Sequence, residues 1–157
     1  VIGFGTTLNK GRPMQAVKQD TAQVMSENVE LALRTLDAFN GRDADAFVAF
    51  LSPDVVFEEN PELPGLREVY RGRAEVREWM AAVLEVMENL HSEVEELTEL
   101  GDERVFAEIV LTARGKGSGV PVELRFWTVL WFAESKITRR QVSWNRDDAL
   151  RAAGLRQ

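Results

Sequence analysis

The chain has 157 residues, enough for one domain with a full core and too few for two ordinary ones. It is 45% hydrophobic and 29% charged, a globular balance, and no stretch approaches the roughly 18 uncharged apolar residues of a spanning helix. Nineteen basic against 26 acidic residues leave a formal charge of −7, which repels phosphate backbones and anionic lipid, so no nucleic-acid and no membrane partner is expected.

The chain contains no cysteine and one histidine. Disulfides, a thiol nucleophile and a multi-histidine metal centre within one chain are excluded, and the expectation is no metal and no cofactor. Residues 1–24 differ in composition from the rest and carry no secretory pattern, which makes the cytoplasm the expected compartment. Met25-Ser26-Glu27 reads like a natural start. Residues 1–24 are therefore expected to be an extension, with a short helix around Pro13–Thr21, and residues 25–157 a single domain.

Ser26 is placed to cap a helix whose apolar stripe is Val29, Ala32, Leu33, Leu36 and Phe39, ended by Asn40-Gly41. Asp43 caps a shorter helix with Phe47, Phe50 and Leu51 on one side, closed by Ser52-Pro53. Asp54–Glu59 reads as a strand and Asn60–Gly65 as a rigid loop. A long helix is predicted from about Arg73 to Leu90, with Val76, Met80, Val83, Leu84 and Met87 inward. The period then changes to that of strands: Ser92–Leu100, Arg104–Arg114, Val120–Phe132 and Lys136–Asn145. Turns fall at Gly101-Asp102, Gly115–Gly119 and Glu134-Ser135. Asp147 or Asp148 opens a last short helix stopped by Gly154. Helices followed by hairpins imply an α+β fold, with helices on one face of a curved antiparallel sheet.

Several short motifs, in this order, resemble the SnoaL-like branch of the nuclear-transport-factor-2-like superfamily. They are Asp54-Val55-Val56-Phe57-Glu58-Glu59, Tyr70-Arg71-Gly72-Arg73, Gly117-Ser118-Gly119, Lys136-Ile137-Thr138-Arg139, and Ala149-Leu150 near Ala153-Gly154-Leu155. The resemblance covers roughly residues 27–155. It implies a cone-shaped barrel with two short N-terminal helices, a sheet wrapped around a long helix, an apolar pocket on the concave face, and commonly a homodimer. Because that superfamily hosts many activities, the pocket residues must decide among them.

Strand alternation with the family's pattern as anchor puts Val55, Phe57 and Glu59 inward, with Asn60 as the alternative to Glu59. Val122, Leu124, Phe126, Thr128, Leu130 and Phe132 share the inner face of the next-to-last strand. Glu123, Arg125, Trp127, Val129 and Trp131 share its outer face, which suits packing against a second subunit. The resemblance places Arg140, Val142 and Trp144 inward, with Val105, Ala107, Ile109 and Leu111 as a further apolar wall. The expected pocket is apolar with Glu59, Thr128 and Arg140 as its polar groups, a composition suited to a small molecule.

Measured against the family's chemistries, the pattern departs from each. Ketosteroid isomerisation needs a tyrosine on the first helix, which holds none, and an aspartic acid where Thr128 stands. Epoxide hydrolases and cyclases of the family carry an aspartate where Val142 stands, and an alkyl group exchanges no proton. Glu59 remains as the candidate catalytic base, with Phe57, Phe126, Thr128, Arg140 and Trp144 as substrate-binding residues. More than one reading stands for each charged group. Glu59 is either a desolvated base or a solvated carboxylate at the sheet edge. Arg140 either holds a ligand headgroup, pairs with Glu59, or faces solvent. His91 at an element boundary, the acidic run Glu93, Glu95, Glu96 and Glu99 split between faces, and the glycine loop 115–119 read as structural.

The expectation is a dimeric protein binding a small apolar or amphipathic molecule, with isomerase, lyase or hydratase chemistry at Glu59. The alternative is a non-catalytic interaction or ligand-sensing module using the face of Trp127 and Trp131.

Overall fold

A computed structural model describes residues 26–60 and 65–155. The expected extension and its short helix lie outside these residues, as does most of the 60–65 loop. Among the described residues the order is α1 Glu27–Asn40, α2 Ala44–Ala49, β1 Leu51–Glu58, β2 Val69–Arg71, α3 Gly72–Val86, β3 Met87–Leu100, β4 Arg104–Gly115, β5 Pro121–Ala133, β6 Lys136–Ser143 and α4 Arg146–Ala152.

Local chemistry starts the first two helices as the sequence implies. Ser26 Oγ accepts from Val29 N at 3.2 Å to open α1, and Asp43 Oδ1 accepts from Ala46 N at 3.0 Å to open α2. The Asn40 side chain reaches beyond its own helix: its amide donates to Ser92 O at 2.9 Å and accepts from Ser92 N at 2.8 Å. The residue that ends α1 thus also fastens it to β3.

The six strands form one open, curved sheet in the order β2-β1-β6-β5-β4-β3. All neighbouring pairs are antiparallel except β1 with β6, which run parallel, so the sheet is mixed where the sequence suggested it wholly antiparallel. The parallel pairing requires a crossover, and the long chain path between β1 and β6 supplies it. Glu134 and Ser135 join β5 to β6 with φ of 53° and 63°, the two-residue hairpin geometry that needs positive φ at both central positions.

Boundaries differ from expectation at three places. Leu51 begins β1 rather than ending α2; it is fully buried and pairs with Ile137, and Phe50 O accepts from Ile137 N at 2.9 Å. Pro53, expected to end a helix, is exposed inside β1, where the pairing with β6 is interrupted between Leu51 and Val56 and no N–H is missed. Helix α3 stops at Val86, and Met87–Leu90 belong to β3 because Met87 and Glu88 pair with Gly115 and Arg114. Cross-strand pairing there overrides a helical pattern that lacks any glycine or proline stop. Asn145, not Asp147 or Asp148, caps the last helix: its Oδ1 accepts from Asp148 N at 2.8 Å.

Two hydrophobic clusters result. The larger lies between the concave sheet face and α1–α3, and contains Val55, Phe57, Val76, Trp79, Val105 and Ile137. The smaller lies on the convex face, where Ala149, Leu150 and Ala153 cover Phe106 and Val129, with Trp127 and Trp131 packed at its edge. Arg139 also lies over the Trp131 ring at 4.4 Å. The two tryptophans expected to face a second subunit therefore have apolar neighbours within their own chain.

Candidate functional site

The concave face encloses a partly open cavity of about 120 Å³. Comparable apolar cavities of roughly 150 Å³ stay dry and take up a molecule the size of benzene. Its walls are built by three layers of the fold. The helices contribute Phe39, Phe47 and Trp79; β4 contributes Ala107, Ile109 and Leu111; β5 and β6 contribute Phe126, Thr128, Leu130, Arg140 and Val142. Register explains why these meet: Ala107 pairs with Thr128 and Thr128 with Val142, while Leu130 and Phe57 both pair with Arg140. The strand parity expected from alternation is thus the observed one. A bulge between Trp131 and Phe132 also brings Ile137 to the same wall.

Glu59 lies one residue past β1 and lines the cavity, whereas Asn60 is exposed. The Glu59 backbone N–H donates to Glu68 O at 2.8 Å, which continues the β1–β2 pairing and fixes its side-chain direction. Arg140 Nη1 donates to Glu59 Oε2 in an ion pair whose side chains are only 14% and 6% exposed. The neighbouring pair, Arg139 with Glu58 at 2.7 Å, sits on the opposite face with both side chains a third or more exposed. One step in parity separates a solvated ion pair from a buried one. Burial makes the inner pair mutually dependent, because either charge left alone there costs several kcal/mol.

Aromatic rings hold the guanidinium in place. Its central carbon lies 5.0 Å from the Phe57 ring centre and 5.0 Å from that of Trp79, within cation–π range. Trp79 stacks on Phe47 at 5.8 Å and meets Phe57 edge-on at 5.2 Å, so the arginine rests on a packed aromatic floor. Trp79 is the site residue that the sequence reading missed. It falls three residues after Val76 and four before Val83, on the same helical stripe, and that spacing was the available signal. Its indole Nε1 is buried without a hydrogen-bond partner among the described residues.

The other expected residues differ in what they offer. Thr128 is buried in the wall, but its hydroxyl donates to Gln141 O at 3.2 Å, which commits its proton to the sheet. Phe126 and Trp144 meet at 5.6 Å, and Trp144 Nε1 donates to Asn60 O, tying the end of β6 to the end of β1. Phe57, Phe126 and Trp144 line the cavity and leave it open.

His91 is half-exposed, with Glu93 at 3.5 Å. The acidic run is divided by a bulge between Val94 and Glu96, so that Glu93 and Glu96 oppose Val110 and Glu108 on one face and Glu99 opposes Val105 on the other. Among the described residues no three histidine, aspartate or glutamate side chains are grouped to hold a metal ion, and no helix is long and apolar enough to cross a membrane.

Comparison with known proteins agrees with this architecture. The profile of the SnoaL-like domain matches residues 32–140. No curated protein matches the chain. Among solved structures, an NTF2-like protein of unknown function from Burkholderia pseudomallei is 23% identical with a TM-score of 0.69, covering 81% of this chain and 97% of its own. TerC co-crystallised with polyporic acid is 24% identical with a TM-score of 0.68, again covering 81% and 97%. A Mycobacterium tuberculosis protein in complex with estradiol-17β-hemisuccinate is 17% identical with a TM-score of 0.68, covering 78% and 97%. These likenesses are likenesses of fold. With the family profile spanning residues 32–140 and the helices closing a curved sheet over an apolar cavity, this chain belongs to the SnoaL-like domain family.

Proposed function

We propose that this SnoaL-like domain binds one small apolar or amphipathic molecule in the cone, with the polar end of the molecule at Glu59 and Arg140. The observation that carries the reading is a single buried ion pair set into an otherwise apolar, partly open cavity. Phe57, Phe126 and Trp144 act as substrate-binding walls and Thr128 as a fixed polar point beside them. Glu59 is the cavity's one carboxylate among the described lining residues. It is therefore the group assigned to take a proton in isomerase, lyase or hydratase chemistry on the bound molecule. Solved relatives in complex with polyporic acid and with estradiol-17β-hemisuccinate lend support to a ligand-binding role. A cavity that its aromatic residues line rather than fill favours this over a purely interaction module. Assembly as a homodimer through the convex sheet face is part of the proposal.

The test is saturation-transfer NMR with ethylbenzene and acetophenone on the wild type and on Ala107→Leu, which puts a branched side chain into the cavity wall. Saturable binding to the wild type and its loss in the variant are expected. Binding that survives in a folded Ala107→Leu protein would put the ligand elsewhere and overturn the proposal.

A further inference from the structure

The electrostatics of the cavity narrow the class of ligand. This step rests on the binding role proposed above. The two charges in the wall, Glu59 and Arg140, neutralise each other, and both are buried. A ligand carboxylate would enter next to Glu59 with no free cation among the described lining residues to receive it, in a space that is otherwise apolar. What the wall does hold in surplus is hydrogen-bond donors. Among the described residues Arg140 donates only to Glu59, through Nη1, and its remaining N–H groups have no acceptor there. A buried donor without a partner is costly, and a ligand oxygen that satisfies it recovers that cost.

We propose that the ligand is an uncharged molecule of about one substituted ring carrying a carbonyl oxygen, which accepts from the remaining N–H groups of Arg140, and that Glu59 excludes carboxylic acids. Glu59 thus has a selective role separate from any proton transfer: it cancels the arginine's charge while leaving its donors in place. The rings of Phe57, Trp79 and Phe126 supply the apolar contact for the remainder of the molecule.

Three probes of one shape separate the terms: acetophenone, with a carbonyl; ethylbenzene, with none; and benzoate, with a charge. Dissociation constants measured by ligand-observed NMR on the full chain are expected to be lowest for acetophenone. Ethylbenzene should bind about threefold to tenfold more weakly, the span of one net hydrogen bond, and benzoate at least about tenfold more weakly. Glu59→Gln should reverse the charge preference and make benzoate the tightest of the three. If no probe binds, the cavity reading itself fails. If ethylbenzene or benzoate binds the wild type as tightly as acetophenone, the cavity reading stands and the uncharged-carbonyl assignment is overturned.

Discussion

At the scale of single residues, the account turns on two side chains that alternation alone placed together. Considered apart from its partner, Arg140 looked like a costly buried charge whose replacement by leucine exchanges charge for apolar packing. With Glu59 only 6% exposed beside it, that replacement strands a carboxylate, so Arg140→Leu is expected to cost about 3 kcal/mol. The double variant Glu59→Leu/Arg140→Leu should regain most of that loss. Urea unfolding of the two single variants and the double would show a coupling above about 1 kcal/mol; additive losses would mean that the pair is solvated and independent. Glu59→Gln keeps the shape and one acceptor for Arg140, so it should fold, with an unchanged circular dichroism spectrum, and lose any proton-transfer activity. Glu59, Arg140, Thr128 and the aromatic walls were legible because a strand's period of two needs only one anchor per run. Trp79 was not, because it and Met80, about 100° apart on the helix, both fall within one wide buried arc, and which of the neighbours lines a cavity depends on tertiary packing.

At the scale of elements, side-chain caps and fasteners decide where the walls stand. Asn40 makes two hydrogen bonds to the backbone of Ser92, a residue of the cavity wall. Asn40→Ala leaves a strand N–H and C=O unpartnered and should cost about 1–3 kcal/mol in urea unfolding; a loss under about 0.3 kcal/mol would show water replacing it freely. The last helix depends on a reciprocal cap, in which Asn145 accepts from Asp148 N and donates to Asp148 Oδ2 at 2.7 Å. The Asn145 bond and then Arg151 hold the Asp148 carboxyl below its ordinary value. A lowered carboxyl contributes fully above its unfolded-state pKa, and the contribution fades as acid takes the pH down through the folded-state value. Asn145→Ala should therefore loosen α4 by about 1 kcal/mol, uncover Trp127 and Trp131, and flatten that acid dependence, which tryptophan fluorescence against pH would follow. The sequence signalled this helix but misplaced its cap. The Met87–Leu90 error has a different origin: partners at Arg114 and Gly115, more than twenty residues away, choose strand there.

At the scale of the molecule, one curved sheet presents two faces with different chemistry. The convex face carries Arg125, bonded to Glu108 at 2.5 Å, beside tryptophans already part-covered by α4. A homodimer through what remains of that face predicts twice the chain mass of 17.7 kDa by light scattering; a monomer at high micromolar concentration would count against it. The concave face holds the cavity, and the chain's four tryptophans divide between the two, Trp79 and Trp144 inside and Trp127 and Trp131 outside. That division makes the central claim, ligand binding in the cone beside Glu59 and Arg140, directly measurable. In ¹⁵N-labelled protein titrated with acetophenone, with signals assigned by single Trp→Phe variants, the indole resonances of Trp79 and Trp144 should shift saturably. Those of Trp127 and Trp131 should stay in place. Shifts confined to the outer pair, or none at Trp79, would contradict it.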